Sequence, residues 1–159
     1  MKTKNLVIIF IVMLIAGISF ALNNPFVNMN AHDKIYEDNG KIAESGDSYS
    51  YMKKEGTSSN NKSKLEFNLS GMETLWEITT AEETVIDIEF TSDIERGNLK
   101  LVIISPDNVV QTIFEQSGSG TESISLEPGQ SRIKIVGKSA TGTIEFKLFP
   151  TDSTTLKAR

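Results

Sequence analysis

The stretch that decides the fold is Thr84-Val85-Ile86-Asp87-Ile88-Glu89-Phe90-Thr91. Successive side chains of an extended strand point to opposite faces. Ile86, Ile88 and Phe90 therefore share one face, and Val85, Asp87 and Glu89 share the other. One oily side and one wet side suit an antiparallel sheet that packs a single face on a second layer.

The same grammar extends in both directions. Upstream, Leu65, Phe67 and Leu69 alternate with Lys64, Glu66 and Asn68, and Thr74 to Thr80 sets Trp76 and Ile78 on one side. Ser48 to Met52 is a further run, with Tyr49 and Tyr51 together. Downstream, Leu99 to Ser105 is apolar at nearly every position, which predicts a central strand covered on both faces. Pro106-Asp107-Asn108 follows as a turn, with φ fixed at proline and two residues tolerant of tight conformations. Val109 to Glu115, Glu122 to Leu126, Arg132 to Ile135 and Gly142 to Leu148 then alternate in succession, with Arg132 and Lys134 expected to face water. Roughly nine runs separated by turn residues, and no amphipathic helix of useful length, predict an all-β domain. The expected architecture is an antiparallel β-sandwich or jelly roll of about 8–9 strands over residues 46–149.

Composition narrows the chemistry. The chain has 159 residues, 21 acidic against 16 basic, for a formal charge of −5. That balance argues against a nucleic-acid partner, which needs a basic face to replace phosphate counterions. With no cysteine and a single histidine, disulfides, thiol nucleophiles and multi-histidine or cysteine metal sites are excluded. His32 lies in a polar stretch and reads as a solvated residue.

The N-terminal residues speak to compartment. Lys2 and Lys4 precede an uncharged apolar run from Leu6 to Ala16, and Ser19 and Ala21 are small residues placed as a signal peptidase requires. Residues 1–21 are expected to be a signal peptide, or an uncleaved anchor helix that would be the chain's one contact with a membrane. Residues 22–45 read as a polar tether and 150–159 as a polar tail. The expected location is secreted or extracellular.

Gly97-Asn98-Leu99-Lys100-Leu101-Val102-Ile103-Ile104-Ser105-Pro106-Asp107 resembles the middle of bacterial pre-peptidase C-terminal-like domains. So do Leu126-Glu127-Pro128-Gly129 with Arg132 to Gly137, and Gly142 to Phe146 as a closing strand. Similar stretches occur in small exported proteins of Gram-positive bacteria. The resemblance implies a jelly-roll-like accessory module and carries over no catalytic residue. The family's usual tyrosine after its Pro-Gly turn is replaced here by Ser131-Arg132.

Candidate site residues are few. Calcium requires several convergent oxygens, and Asp87, Glu89, Asp93 and Glu95 form the acidic set that would supply them; otherwise no cofactor is expected. Phe67, Phe90, Phe114, Phe146 and Trp76 share faces with Ile or Leu and read as core, leaving Tyr49, Tyr51 and Phe149 for a sugar-stacking platform. Loops at one end of a rigid sandwich are the usual place for binding, which nominates Ser92–Asn98 and the turn carrying Asp107 and Asn108. No serine sits in a Gly-x-Ser-x-Gly elbow, and no phosphate-cradling loop occurs. The expected function is a non-enzymatic exported accessory or adhesion module with an extracellular protein or glycan partner; the alternative is a carbohydrate- or calcium-binding protein.

Overall fold

The computed structural model describes residues 31–159, so the expected leader at 1–21 and the first part of the expected tether lie outside the described residues. A 3-10 turn (Lys34–Glu37) and one turn of helix, α1 (Asn39–Ile42), precede the strands. These are β1 (Ser48–Ser58), β2 (Lys62–Thr80), β3 (Thr84–Ile104), β4 (Val110–Glu115), β5 (Gly118–Leu126), β6 (Gly129–Phe149) and β7 (Thr154–Ala158).

Three pairs among the nine runs are continuous, which leaves six strands, and β7 in the expected tail is the seventh. The runs at 64–69 and 74–80 lie in β2, those at 84–91 and 99–105 in β3, and those at 132–135 and 142–148 in β6. The polar breaks between them are bends rather than turns. Pairing with β6 shifts register between Leu69 and Gly71 in β2, and between Ile94 and Asn98 in β3. Gly97 occupies one such bend with φ +74°, and a Cβ there would lie 2.2 Å from the Ser139 carbonyl oxygen. Only a residue without a side chain lets two bends approach so closely.

Bending gives each long strand one half in each layer. The first half of β2 pairs with the second half of β6, from Lys62↔Lys147 to Leu69↔Ala140, and the second half of β2 with the first of β6, from Gly71↔Gly137 to Thr80↔Gly129. The first half of β3 pairs with β5, and its second half with β4. β6 joins β3 along both halves. A long hairpin rolled up in this way is a jelly roll, and the expected all-β sandwich is the observed one.

Between the layers lies the main core. Trp76 meets Phe146 edge-on at 6.0 Å between ring centroids, and Phe90 stacks on Phe114 at 3.9 Å. Each fully buried aliphatic or aromatic side chain contributes about 1.5–3 kcal/mol.

A second, smaller core corrects the expected tether. Ile35, Tyr36 and Ile42 are buried against Met72, Val102, Ile104 and Val136 on the outer face of the layer formed by the second halves of β2 and β3. The segment's few apolar residues suffice because the sheet face beneath is itself apolar, and polar anchors fix the rest. Asp33 accepts from both the Ser139 amide and hydroxyl at 2.7 Å. Arg132 Nη2 donates to the Ala43 carbonyl at 2.8 Å. Lys134, expected in water, is fully buried, its Nζ donating to the carbonyls of Glu44 (2.7 Å) and Gly46 (2.9 Å). The expected polar tail is also structured: β7 pairs with β2 from Trp76↔Ala158 to Thr80↔Thr154.

Candidate functional site

A cleft of about 300 Å³ opens where the β3–β4 turn, the β5–β6 turn and the ends of the two layers part. Ile103, Leu126 and Ser131 form its buried floor, and Val109 and Gln111 of the turn and β4 form a wall. Strand parity explains Ser131. It stands two and four residues before Ile133 and Ile135, which face the main core, so its side chain also points between the layers. Ser131 is 2% exposed, whereas Val109 at the rim is 64% exposed.

Three carboxylates, Glu83, Asp107 and Glu127, stand on the exposed rim. Among the described residues no lysine, arginine or histidine lines the cleft. The lining offers hydrogen-bond donors and acceptors, from Ser105, Gln111, Ser125 and Ser131, around an apolar floor.

The turn separates the two residues nominated from it. The Asn108 amide donates to the Ser105 carbonyl at 2.9 Å, and Asn108 takes a left-handed φ of +63°, a conformation asparagine tolerates. Its Oδ1 accepts from Arg132 Nη2 at 2.9 Å, the same group that holds Ala43. Asn108 therefore faces the N-terminal segment, while Asp107 lines the cleft.

Tyr49 and Tyr51 stand together but make no flat platform. Tyr49 is 44% exposed, Tyr51 packs against the main core, and their rings meet at 60°. Tyr51 Oη donates to Glu73 Oε2 at 2.5 Å, and Lys54 Nζ donates to Glu73 Oε1 at 2.5 Å. Burial, and next the Glu73 carboxylate, push the Tyr51 hydroxyl's pKa well above its ordinary value. Phe149 is exposed, with Lys147 Nζ 4.5 Å from its ring centre.

The acidic set is strung out rather than gathered. Same-face residues two apart on a strand are separated by roughly 7 Å. Asp87 accepts from Ser123 Oγ at 2.7 Å, Glu89 lies in register with Lys147, and Asp93 with Thr143. Glu95 sits in the β3 bend. Among the described residues no three Asp, Glu or His side chains come together as metal ligands. His32 is half-buried, its Nδ1 3.1 Å from Ser48 Oγ.

Glu83, Gln111, Glu127 and Ser131 were not singled out from sequence, since only the rolled pairing brings them to Asp107. One signal was present: Ser131 occupies an inward position in a strand whose other inward residues are isoleucines.

No protein-family model and no curated protein matches the chain. Among solved structures, it is similar to a family 35 carbohydrate-binding module in complex with a glucuronic acid-containing disaccharide, at 12% identity and TM-score 0.37, over 68% of this chain and 90% of that one. Another family 35 module, from Cellvibrio japonicus Abf62, matches at 10% identity and TM-score 0.38, over 68% and 79% of the two chains. A family 4 module matches at 10% identity and TM-score 0.37, over 71% and 79%. Likeness at this level bears on neither ligand nor activity.

Proposed function

We propose that this protein is a non-enzymatic binding module that works outside the cell and holds a short glycan in the cleft between the β3–β4 and β5–β6 turns. The observation that carries the reading is the mixed lining of that cleft. Carboxylates, an amide and hydroxyls surround an apolar floor of Ile103 and Leu126, and a sugar offers hydroxyls on its edges and C–H groups on its faces. The volume is at the small end for ligand sites and suits one or two sugar rings. The lysine-flanked apolar leader pattern supports export. The strand and turn pattern that resembles pre-peptidase C-terminal-like domains supports an accessory role near the cell surface.

Isothermal titration of the full chain with short oligosaccharides tests the reading. Binding should be measurable and should weaken at least about tenfold in Gln111→Ala or Ser131→Val, with the melting temperature within a few degrees of the parent. Saturable binding unchanged in both variants, or none to any oligosaccharide, would remove the cleft as a glycan site. Intact mass of the exported material tests the leader.

A further inference from the structure

We infer that a narrow slot beside Trp76 binds a single-atom hydrogen-bond acceptor, a water molecule or a chloride ion. The slot draws its lining from β1, β2 and β7, on the edge of β2 away from β6. β1 pairs with β2 as far as Met72, and β7 pairs with it from Trp76 onward. The inference stands apart from the glycan reading.

The first observation is an indole N–H with nothing to meet. Trp76 is 1% exposed, and its Nε1 is buried without a hydrogen-bond partner among the described residues. An indole nitrogen donates and cannot accept. Leaving a buried donor unpaired is costly, and an acceptor from outside the chain removes that cost.

The second observation is the space beside it. Trp76 lines a cavity of about 20 Å³ together with Leu75, Ser58 and Ser63. One water molecule needs about 10–15 Å³ of such space, and no sugar, nucleotide or polyatomic anion fits. Glu73, also on the lining, is already committed: Oε2 accepts from Tyr51 and Oε1 from Lys54. The hydroxyls of Ser58 and Ser63 lie 2.9 Å apart and share one hydrogen bond, which uses one of their two protons. What remains is rich in donors: the Trp76 N–H, one serine proton, and the cationic groups of Lys54 and Arg159 at the exposed rim. A metal cation would meet donors and positive charge there. A water oxygen or a chloride ion brings lone pairs that several donors can share.

Trp76 is the only tryptophan, so its indole proton resonance reports on this slot alone. The full chain is titrated with sodium chloride and, at matched ionic strength, with sodium sulfate, whose anion is too large for the cavity. A chloride site should give a saturable shift of the indole resonance and a higher melting temperature in chloride alone. A water site should give no difference between the salts and a cross-peak from the indole proton to a long-lived water. Ser63→Ala should raise the chloride midpoint roughly tenfold, or weaken the water cross-peak and speed indole proton exchange by a similar factor. Ala158→Leu adds bulk to the lining from the edge strand β7 and should abolish whichever signal is present, which keeps the test decisive if Ser63→Ala does not fold. Ser123→Ala, on β5 at the far side of the sandwich, should leave the signal intact. An indole proton with neither a saturable chloride shift nor a water cross-peak, or a signal that survives either slot variant unchanged, would overturn the inference.

Discussion

The ammonium of Lys134 donates to the main-chain carbonyl of Gly46 at 2.9 Å, across 88 positions of sequence. It also reaches the Glu44 carbonyl at 2.7 Å and lies 3.6 Å from Asp47 Oδ1. Lys134 has no exposed side-chain surface, and desolvation holds its pKa below the usual lysine value despite the nearby Asp47. Replacing Lys134 by Met leaves two carbonyls without a donor, and should cost about 2–4 kcal/mol in denaturant unfolding. Amide exchange should speed up first in residues 33–46.

The stacked pair of Phe90 and Phe114 holds the two layers together at the β4 edge. Phe114→Ala removes that contact and leaves a cavity, at an expected cost of about 3–5 kcal/mol. Phe114→Leu should cost clearly less by the same unfolding measurement.

Gly97→Ala places a methyl 2.2 Å from the Ser139 oxygen at a φ of +74°. Backbone must move, because neither neighbour is a flexible side-chain tip. A loss of about 2–4 kcal/mol is expected, read as a lower denaturation midpoint.

Alkaline stability should depend on Tyr51. Its pKa is raised in the folded protein, first by burial and then by Glu73, from an ordinary 10.0. The stability it contributes is fully present below pH 10.0 and falls as pH rises beyond that, since the unfolded chain releases the proton first. Tyr51→Phe should flatten the fall in melting temperature above pH 10.0. A residual slope should remain from Tyr36, pushed up to about 12 chiefly by burial.

Acid acts on the other end of the chain. The Arg159 guanidinium, and then Lys157, hold the Glu77 carboxyl below the usual 4.5. A depressed carboxyl contributes stability above the unfolded value that is lost as pH falls through the folded one. Exchange protection of β7 should therefore weaken below pH 4.5, and Glu77→Gln should remove that dependence.

The strands were legible because alternation is a local property. Ile86, Ile88 and Phe90, or Ile144, Phe146 and Leu148, declare their inward face within a few residues. Bends were harder to read, since a polar break such as Asp93 to Arg96 looks alike whether the chain turns back or only changes layer. The N-terminal segment was misread because Ile35 and Ile42 look isolated until the outer face of Val102 and Ile104 is known to need a cover. Leu99 to Ser105 did carry that hint: a run apolar on both sides requires something on each. Asp107 could be singled out because turn chemistry is local, whereas the residues that share its cleft are brought there by pairing between distant strands.

The rolled hairpin has a kinetic corollary. Lys62 pairs with Lys147, so the first half of β2 stays without its β6 neighbour until the second half of β6 has been made. Contacts this remote in sequence close slowly. In a nascent chain of this design, both layers wait on β6 for their central partner, since β6 pairs with β2 and β3 along both halves.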